Sequence, residues 1–315
     1  MFKKFPSIEQ VHTVARQALR FNRTDIKRYV SKVKLHGTNA CVRIDFTGNV
    51  AAQKRSSDCT PENDNCGFAA FVYANKDYFK ATFPVLPQGP TYVWGEWAGE
   101  GVQKGDAISQ CPKAFHVFMI EFGDGRTIIE DDMGSAFLTS HPQVKWIPVY
   151  RYYDFSFFDN ASLNRAQEQM ESDIEEMSKV DPYVKQVYGV EGPGEGFVFY
   201  PIPFDKEMMF KLKTEHHMGN KRVDKKIVSF TPEQVTELEA FVSKYATEPR
   251  FNQALTELGI SDTFTIKNIG PFLGWVSKDV FKECQAELEV SGLEWKNVAS
   301  VLTRVSKQWF LRKLV

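Results

Sequence analysis

The hydrophobic and polar positions of the chain follow two patterns, which divide it near residue 226. From residue 30 to about 214, short segments of aromatic and β-branched residues alternate with turn residues, a pattern typical of strands. The clearest predicted strands are residues 40–46, 91–94 and 115–120. Beyond residue 226, apolar residues recur at three- and four-residue steps, which indicates helices. We therefore expect a β-rich part followed by a helical part.

Several helices are predicted individually. Residues 8–19 form one helix in the lead-in, and residues 162–179 form an acidic one that is polar on most sides, as expected of a surface insertion. Thr231 and Pro232 are a helix-start signal. Residues 278–290 and 293–311 are further helices, and the last has one apolar face. The polar, basic stretch 219–226 is typical of a linker, so we expect domains at residues 1–225 and 226–315.

Composition narrows the class of protein. The chain has 315 residues, which at about 150 per domain suggests two domains. Its 43% hydrophobic and 25% charged residues exclude a largely disordered chain, a collagen-like repeat and a coiled coil. No apolar run approaches the roughly 20 residues that span a bilayer, and the first residues lack the pattern of a signal peptide.

Charge and cysteines limit the partners and the compartment. The net charge is −1, so a polyanion would have to meet a local basic patch rather than a global field. The 5 cysteines form no Cys-x-x-Cys pair and no zinc spacing. We expect them to be free thiols in a reducing cytosol.

The first candidate for chemistry is the stretch of residues 32–39. Lys32 and Lys34 alternate onto one side of an extended segment, and Gly37 permits a tight turn with close approach to a ligand. Adjacent ammonium groups lower each other's pKa, which allows a lysine to act as a nucleophile. For this stretch alone, two solvated lysines before a turn are the favoured explanation.

Four further segments carry isolated signals. Lys54 and Arg55 end one strand, and Glu96 lies between two tryptophans before a glycine-rich loop that reaches Gln103. That loop matches neither the Walker A pattern nor the dinucleotide fingerprint. Glu195 opens an apolar strand, where a carboxylate can hold a hard cation. Lys211 and Lys213 share one face of a strand, which either faces an anion or guards a sheet edge.

Taken together and in this order, the segments resemble the covalent nucleotidyltransferase superfamily of ligases and capping enzymes. The usual nucleophile motif there is Lys-x-Asp-Gly. The His-Gly-Thr-Asn of residues 36–39 is similar to one branch, the ATP-dependent RNA ligases of the phage nick-sealing type, which includes the kinetoplastid RNA-editing ligases. The resemblance covers about residues 30–214. It implies an α+β fold: an antiparallel β-rich nucleotidyltransferase (adenylyltransferase) domain followed by a small all-helical C-terminal domain.

The resemblance also implies site residues. Lys34 would attack the α-phosphate of ATP to form lysyl-AMP, His36 would serve the ligation chemistry, and Lys211 and Lys213 would lower the pKa of Lys34 and stabilise phosphate charge. The other implied nucleotide-binding residues are Lys32, Leu35, Asn39 (phosphate), Lys54, Arg55 and Glu96 (ribose), Gln103, Phe118 (adenine) and Glu195, which is also the implied metal ligand.

ATP and Mg²⁺, with Mn²⁺ as an alternative, are the implied cofactors. One position departs from the branch, because Met119 stands where an acidic residue usually follows the adenine-stacking Phe118. Glu121, on the same strand face as Met119, is expected to substitute in part.

RNA with 3′-hydroxyl and 5′-phosphate ends is the implied partner, with nicked duplex as one form, and a monomer is the default expectation. Two basic clusters are candidates for phosphate contacts; a solvated helix end explains the first equally well. They are Lys296, Arg304, Lys307, Arg312 and Lys313, and Lys221, Arg222, Lys225 and Lys226. A phage or viral origin, with action in the host cytoplasm, follows from the resemblance only.

Two other functions stay open at this point. A DNA ligase or capping guanylyltransferase is disfavoured by the His-Gly variant and by the helical tail, which leaves no oligonucleotide-binding barrel after the lysine pair. A nucleotide- or RNA-binding module that has lost catalysis is disfavoured because every matched lysine and glutamate is present.

Overall fold

The structure is a computed structural model that describes residues 2–138, 141–218, 230–260 and 265–314. The chain divides into two compact units. The first comprises Met1–Val11, Lys27–Asp154 and Arg165–Lys225, and the second comprises His12–Ile26, Phe155–Asn164 and Lys226–Val315. The predicted linker and boundary lie outside the described residues. The second unit also takes in two earlier segments that the sequence pattern had assigned to the first domain.

Strands of the first unit form two sheets. The described residues contain β1 Glu9–Gln10, β2 Arg28–Lys34, β3 Thr38–Ile44, β4 Val50–Lys54, β5 Ser57–Cys59, β6 Thr91–Ala98, β7 Ala114–Glu121, β8 Thr127–Ile128, β9 Val144–Trp146, β10 Val149–Asp154, β11 Gly196–Ile202 and β12 Phe210–Lys213. One sheet has the order β1-β12-β11-β2-β10, and the other has the order β5-β4-β3-β6-β7-β8 with β9 paired to β7. All pairs are antiparallel except β1 with β12 and β7 with β9.

Helices account for most of the remaining regular structure. They are α1 Val11–Phe21, α2 Phe68–Ala74, α3 Lys76–Thr82, α4 Asp131–Phe137, α5 Asn160–Met177, α6 Pro182–Tyr188, α7 Glu215–Met218, α8 Pro232–Tyr245, α9 Glu248–Glu257, α10 Ile269–Ser291 and α11 Trp295–Lys313. No helix in the described part of the chain is both long and apolar enough to cross a membrane. The predicted α+β class, with antiparallel sheets and a helical C-terminal region, is confirmed.

Local signals place several elements correctly. The strands predicted at 40–46, 91–94 and 115–120 correspond to β3, β6 and β7. Thr231 caps α8 by accepting a hydrogen bond from the Gln234 backbone N–H, and the Gln234 side chain bonds back to complete a capping box. The helix predicted at 8–19 begins later than expected, because Glu9 and Gln10 pair with β12.

Two expectations about helices in the β-rich part are wrong. It was expected to hold one helix, but it also contains short helices such as α2 and α6. The sequence of α2, Phe-Ala-Ala-Phe-Val-Tyr-Ala, is apolar all round and seven residues long, so no period distinguishes it from a buried strand. Helix α5 was expected to be polar on most sides. It instead buries a stripe that includes Leu163, Met170 and Met177.

Each unit has its own apolar core. In the first, side chains of β3, β6 and β7 pack against the short helices, with Val42, Val93 and Phe115 fully buried. In the second, residues of α8 to α11 form the core, with Phe272 stacked on Trp309 at 5.7 Å between ring centroids. Strand β2 lies between β11 and β10. Its end at Lys34 is paired with Gly196 of β11, whereas its register with β10 ends at Lys32.

Candidate active site

The nucleophile candidate Lys34 is the last residue of β2, and a three-residue turn joins it to β3. A side chain at Gly37 in that turn has no room, since an added Cβ would lie 2.5 Å from Trp97 O and 2.9 Å from Glu96 Cγ. The glycine therefore lets the turn lie directly against β6. This close approach brings Lys34 and Glu96 to the same site.

Glu195 lies between two lysines on neighbouring strands. The register places Gly196 opposite Lys34 on β2 and opposite Lys213 on β12. Consequently Lys34 Nζ lies 2.6 Å from Glu195 Oε2, and Lys213 Nζ lies 2.7 Å from Glu195 Oε1. The Glu195 side chain is only 4% exposed, so both of its oxygens are used within the site.

The charges of Lys34 and Lys213 contribute to pKa shifts at two neighbouring groups, Glu195 and Lys211. Burial raises the pKa of Glu195, but Lys34 and Lys213 outweigh it, so its pKa is lowered and the carboxylate is charged. Burial, together with nearby Lys213 and Lys34, lowers the pKa of Lys211. Lys211 Nζ also donates to Ile8 O at 2.6 Å.

A cavity of about 360 Å³ opens beside Lys34, within the range of small-molecule sites. It brings together nine of the residues that the sequence singled out, which are Lys34, Leu35, His36, Asn39, Arg55, Glu96, Phe118, Glu195 and Lys211. The lining combines cations and carboxylates with the Phe118 ring, so the cavity offers both anion-binding groups and an aromatic surface. This is the composition that a nucleotide requires.

Besides Lys32, which is described below, three predicted site residues are not part of the cavity lining. Lys213 binds Glu195, as described above. Gln103 Nε2 lies 3.5 Å from Gly37 O, so it supports the turn that follows Lys34. Lys54 ends β4, where it is paired in register with Ala40 and Ser57. These positions make Gln103 a support for the site rather than part of its wall.

Lys32 differs most from expectation. Its side chain is fully buried, its Nζ donates to Phe118 O at 3.0 Å, and it lies 3.6 Å from the centroid of the Trp146 ring. Burial lowers its pKa well below the usual value, opposed by Asp131. The expected cause was repulsion by Lys34, but burial dominates. Lys32 thus binds the backbone of the strand that carries Phe118, and it is not among the residues that line the cavity.

The compensation expected from Glu121 is not found. Alternation along β7 directs Met119 and Glu121 away from Phe118, and both line a separate cavity of about 110 Å³. Glu121 forms an ion pair with Lys3 and accepts a hydrogen bond from Trp94 Nε1 at 3.4 Å. The larger cavity, which the Phe118 ring lines, therefore receives no carboxylate from this strand.

Burial raises the pKa of Glu96 to about 8, although Lys34 opposes this rise. The ordinary value is 4.5, so the folded state retains a proton that the unfolded state loses between about pH 4.5 and 8. The free energy of unfolding therefore falls as pH rises through this range and levels off above it.

Replacement of Glu96 by glutamine is expected to remove this fall in the free energy of unfolding at high pH. Without nucleotide, the melting temperature of Glu96→Gln minus that of the wild type should be larger at pH 9 than at pH 5, by a few degrees. Thermal melts at the two pH values measure it. Glu191→Gln is the control, because its exposed carboxylate has a lowered pKa beside Lys185 and gives no gain at high pH. Equal melting-temperature differences at both pH values would contradict the raised pKa of Glu96.

The sequence analysis missed parts of the cavity wall. Phe5, Pro6 and Ile8 line it from the N-terminal segment, and the Phe5 ring meets Phe118 edge-on at 5.4 Å between centroids. Their apolar character within a short lead-in was the only available signal. Asp106 and His217 were also missed. Asp106 contacts the motif residue His36, and His217 contacts Asp106.

Acidic partners already bind much of the C-terminal basic cluster. Lys296 lies 2.7 Å from Glu294, Lys313 lies 3.1 Å from Glu248, and Arg304 pairs with Glu239. The described residues provide no ion pair for Lys307 and Arg312. The second basic cluster, at 221–226, lies outside the described residues. Phosphate contacts by the C-terminal cluster stay a prediction. Fewer of its basic side chains are without an acidic partner than the sequence suggested.

Comparison with known proteins now adds to this geometry. The family model described as RNA ligase matches residues 27–213, which include Lys34, Glu195 and Lys213. The chain belongs to the RNA ligase family. The matched range agrees with the resemblance that the motifs indicated. No curated protein sequence matches the chain.

Solved structures with a similar course of the chain include other RNA ligases. A Naegleria gruberi RNA ligase variant with AMP and Mn is 15% identical, with 70% of this chain and 58% of that chain covered and a TM-score of 0.46. A second variant of that ligase, with ATP and Mn, is 18% identical over 69% and 58% of the two chains, with a TM-score of 0.44. An archaeal ATP-dependent RNA ligase is 15% identical over 86% and 62%, with a TM-score of 0.44. This member of the RNA ligase family thus spans less than two thirds of the length of those ligases.

Proposed function

We propose that this protein is an ATP-dependent RNA ligase, which joins 3′-hydroxyl and 5′-phosphate ends through lysyl-AMP and 5′-adenylylated RNA. The observation that carries the proposal is the position of Lys34, whose Nζ lies at a cavity of about 360 Å³ and is held by Glu195. Lys211 lines the same cavity and Lys213 binds the other oxygen of Glu195. Membership of the RNA ligase family supports this assignment.

In the first step, Lys34 Nζ gives up a proton and attacks the α-phosphorus of ATP. A nitrogen–phosphorus bond forms, the bond to the bridging oxygen breaks, and pyrophosphate leaves. Lys34 must first leave its ion pair with Glu195, which keeps Lys213 as a partner. Lys211 and Arg55 line the cavity as cations that can bind the phosphates, and Phe118 offers a ring for the base.

Two further steps would complete the reaction. The AMP passes from Lys34 to the 5′-phosphate of an RNA end, which forms a 5′-5′ pyrophosphate. A 3′-hydroxyl then attacks that end, the new phosphodiester forms, and AMP leaves. Protonation of the lysyl nitrogen makes it a good leaving group in the transfer.

A divalent cation fits the chemistry of Glu195, because carboxylate oxygen is a donor that Mg²⁺ and Mn²⁺ accept. Glu195 is buried and charged, and departure of Lys34 would release its Oε2. When bound, such a cation would neutralise phosphate charge. Among the neighbouring groups, Lys213 would keep Glu195 in position.

The RNA context and the compartment are parts of the same proposal. We expect repair or nick sealing in duplex RNA, carried out by a monomer. All five cysteines are free, which supports action in a reducing cytoplasm.

Intact-mass measurement and an RNA-joining assay test the proposal. The protein, freed of bound AMP by pyrophosphate treatment, is mixed with Mg²⁺ and either ATP or GTP, and we expect one AMP adduct with ATP and none with GTP. It should then join 3′-hydroxyl and 5′-phosphate RNA strands at a nick, with release of AMP. An adduct with GTP alone would indicate a capping-type enzyme. Joining of DNA in preference to RNA would indicate a DNA ligase, and no adduct would leave a binding module.

A further inference from the structure

Three side chains from distant parts of the sequence converge beside the cavity. They are His36 in the turn after β2, Asp106 after the glycine-rich loop, and His217 on the short helix α7. Their nearest nitrogen and oxygen atoms all lie within 4.8 Å of one another. His36 Nδ1 is 3.0 Å from Asp106 Oδ2, and His217 Nε2 is 2.8 Å from Asp106 Oδ1. Within the described residues, no other group of three or more such side chains is arranged in this way.

Hydrogen bonding satisfies only part of this cluster. His217 bonds to Asp106 Oδ1, whereas His36 Nδ1 and Asp106 Oδ2 are buried atoms with no hydrogen-bond partner, despite their short separation. The two atoms are thus not aligned to bond to each other. Their lone pairs are available for a third atom placed between them.

The charge of the cluster is also incomplete. The Asp106 side chain is 2% exposed, and its ion-pair partners among the described residues are the two imidazoles, which are neutral unless protonated. A buried carboxylate without a cation is costly. A bound dication would supply the missing charge and would also satisfy the two unpartnered atoms.

We propose that His36, Asp106 and His217 bind a divalent transition-metal ion of the zinc type. Two imidazole nitrogens with one carboxylate oxygen are a common ligand set for such an ion, and they leave a position open for water. Mg²⁺ prefers oxygen ligands and binds imidazole poorly. The site is therefore distinct in its chemistry from Glu195, which offers oxygen donors only.

The ion would tie together three segments: the turn after β2, which lines the cavity, the segment after the glycine-rich loop, and helix α7. His36 follows Lys34 by two residues, and His217 follows Lys213 by four. Thr214, between Lys213 and His217, donates its backbone N–H to Glu195 O at 3.0 Å. A metal bond at Nδ1 would also leave the proton of the His36 ring on Nε2, which fixes the tautomer of a residue that lines the cavity.

Metal binding by the intact, untagged chain tests this inference without any ligase assay. All variants carry Cys66→Ser, since Cys66 is the exposed one of the five free cysteines and a competing zinc ligand. After chelator treatment, equilibrium dialysis with Zn²⁺ in excess Mg²⁺ should give about one tightly bound Zn²⁺ per chain. Co²⁺ in its place should produce the visible absorption of a low-coordinate site.

The variants Asp106→Asn and His217→Gln should each bind Zn²⁺ about 100-fold more weakly or worse and lose the Co²⁺ absorption. Glu195→Gln is the matched control, because it removes the other buried carboxylate of the site and should retain both signals. Circular dichroism verifies folding, and if Asp106→Asn does not fold, His217→Gln decides. The absence of saturable Zn²⁺ binding, or equal binding in the folded variants, would overturn the inference and leave a hydrogen-bonded cluster.

Binding of this ion can be absent while AMP still forms an adduct on Lys34, and the converse also holds. The two proposals are therefore independent.

Discussion

Replacement of Lys34 by alanine is expected to abolish the covalent uptake of AMP from ATP, with a loss of roughly 10⁴-fold or more in rate. The reason is that the neighbouring lysines have other partners. Lys211, which also lines the cavity, donates to Ile8 O, and Lys32, which does not line it, is buried and donates to Phe118 O. The rate of adduct formation is measured by intact mass against time.

Lys34→Arg separates the chemistry from the structural role of the charge. An arginine keeps a cation opposite Glu195, but it does not lose its proton in a protein and cannot attack phosphorus. We expect this variant to retain the melting temperature of the wild type and to form no adduct. Lys104→Ala, at an exposed lysine beyond the cavity, is the control and should form the adduct normally. Formation of an AMP adduct by Lys34→Ala would show that another lysine is the nucleophile.

The second large effect is expected at Gly196, on β11 directly after Glu195. Its φ of +146° is a conformation that residues with a side chain rarely adopt. An added Cβ would also lie 2.8 Å from Lys213 Cα and closer still to Leu212 O. Gly196→Ala should therefore lower the free energy of unfolding by about 3 kcal/mol or more, as measured by urea denaturation.

Gly189→Ala is the matched control for this experiment. Gly189 ends α6 at a φ of +68°, but no atom lies within 4 Å of its added Cβ. It should lose only about 1 kcal/mol, since the backbone cost acts there without a clash. Equal losses in the two variants would show that β11 and β12 separate easily at this point. The contacts of Glu195 with Lys34 and Lys213 would then be less rigid than the strand register implies.

Local patterns predicted the strands that carry the site. Period-2 alternation placed Lys211 and Lys213 on one side of β12, and the structure has both at the site. The same reasoning located the start of β11 and the turn at Gly37. These features depend on the backbone within a few residues, so a sequence segment contains the information that decides them.

Prediction failed where burial depends on distant segments. Lys32 and Lys34 share one strand face, yet one is fully buried against Trp146 and the other lies at the cavity. Nothing in the local sequence distinguishes them, because the difference arises from the distant residues that pack around each side chain. Helix α5 was misjudged for a related reason, since its buried stripe is interrupted by Asp173, whose charge is paired with Arg151 at 2.9 Å.

By itself, the sequence determined that a β-rich part precedes a helical part, and it determined the order of the motifs. These follow from the two periods of the apolar pattern and from residue types at fixed spacing. The choice of Lys34 as the candidate nucleophile came from the resemblance of those motifs to the covalent nucleotidyltransferases. Only the tertiary structure decided that Glu195 lies between Lys34 and Lys213, that the N-terminal segment closes one side of the cavity, and that His36, Asp106 and His217 meet. Such contacts join residues up to about two hundred positions apart, and their formation depends on the pairing and packing of whole sheets, which a local pattern does not encode.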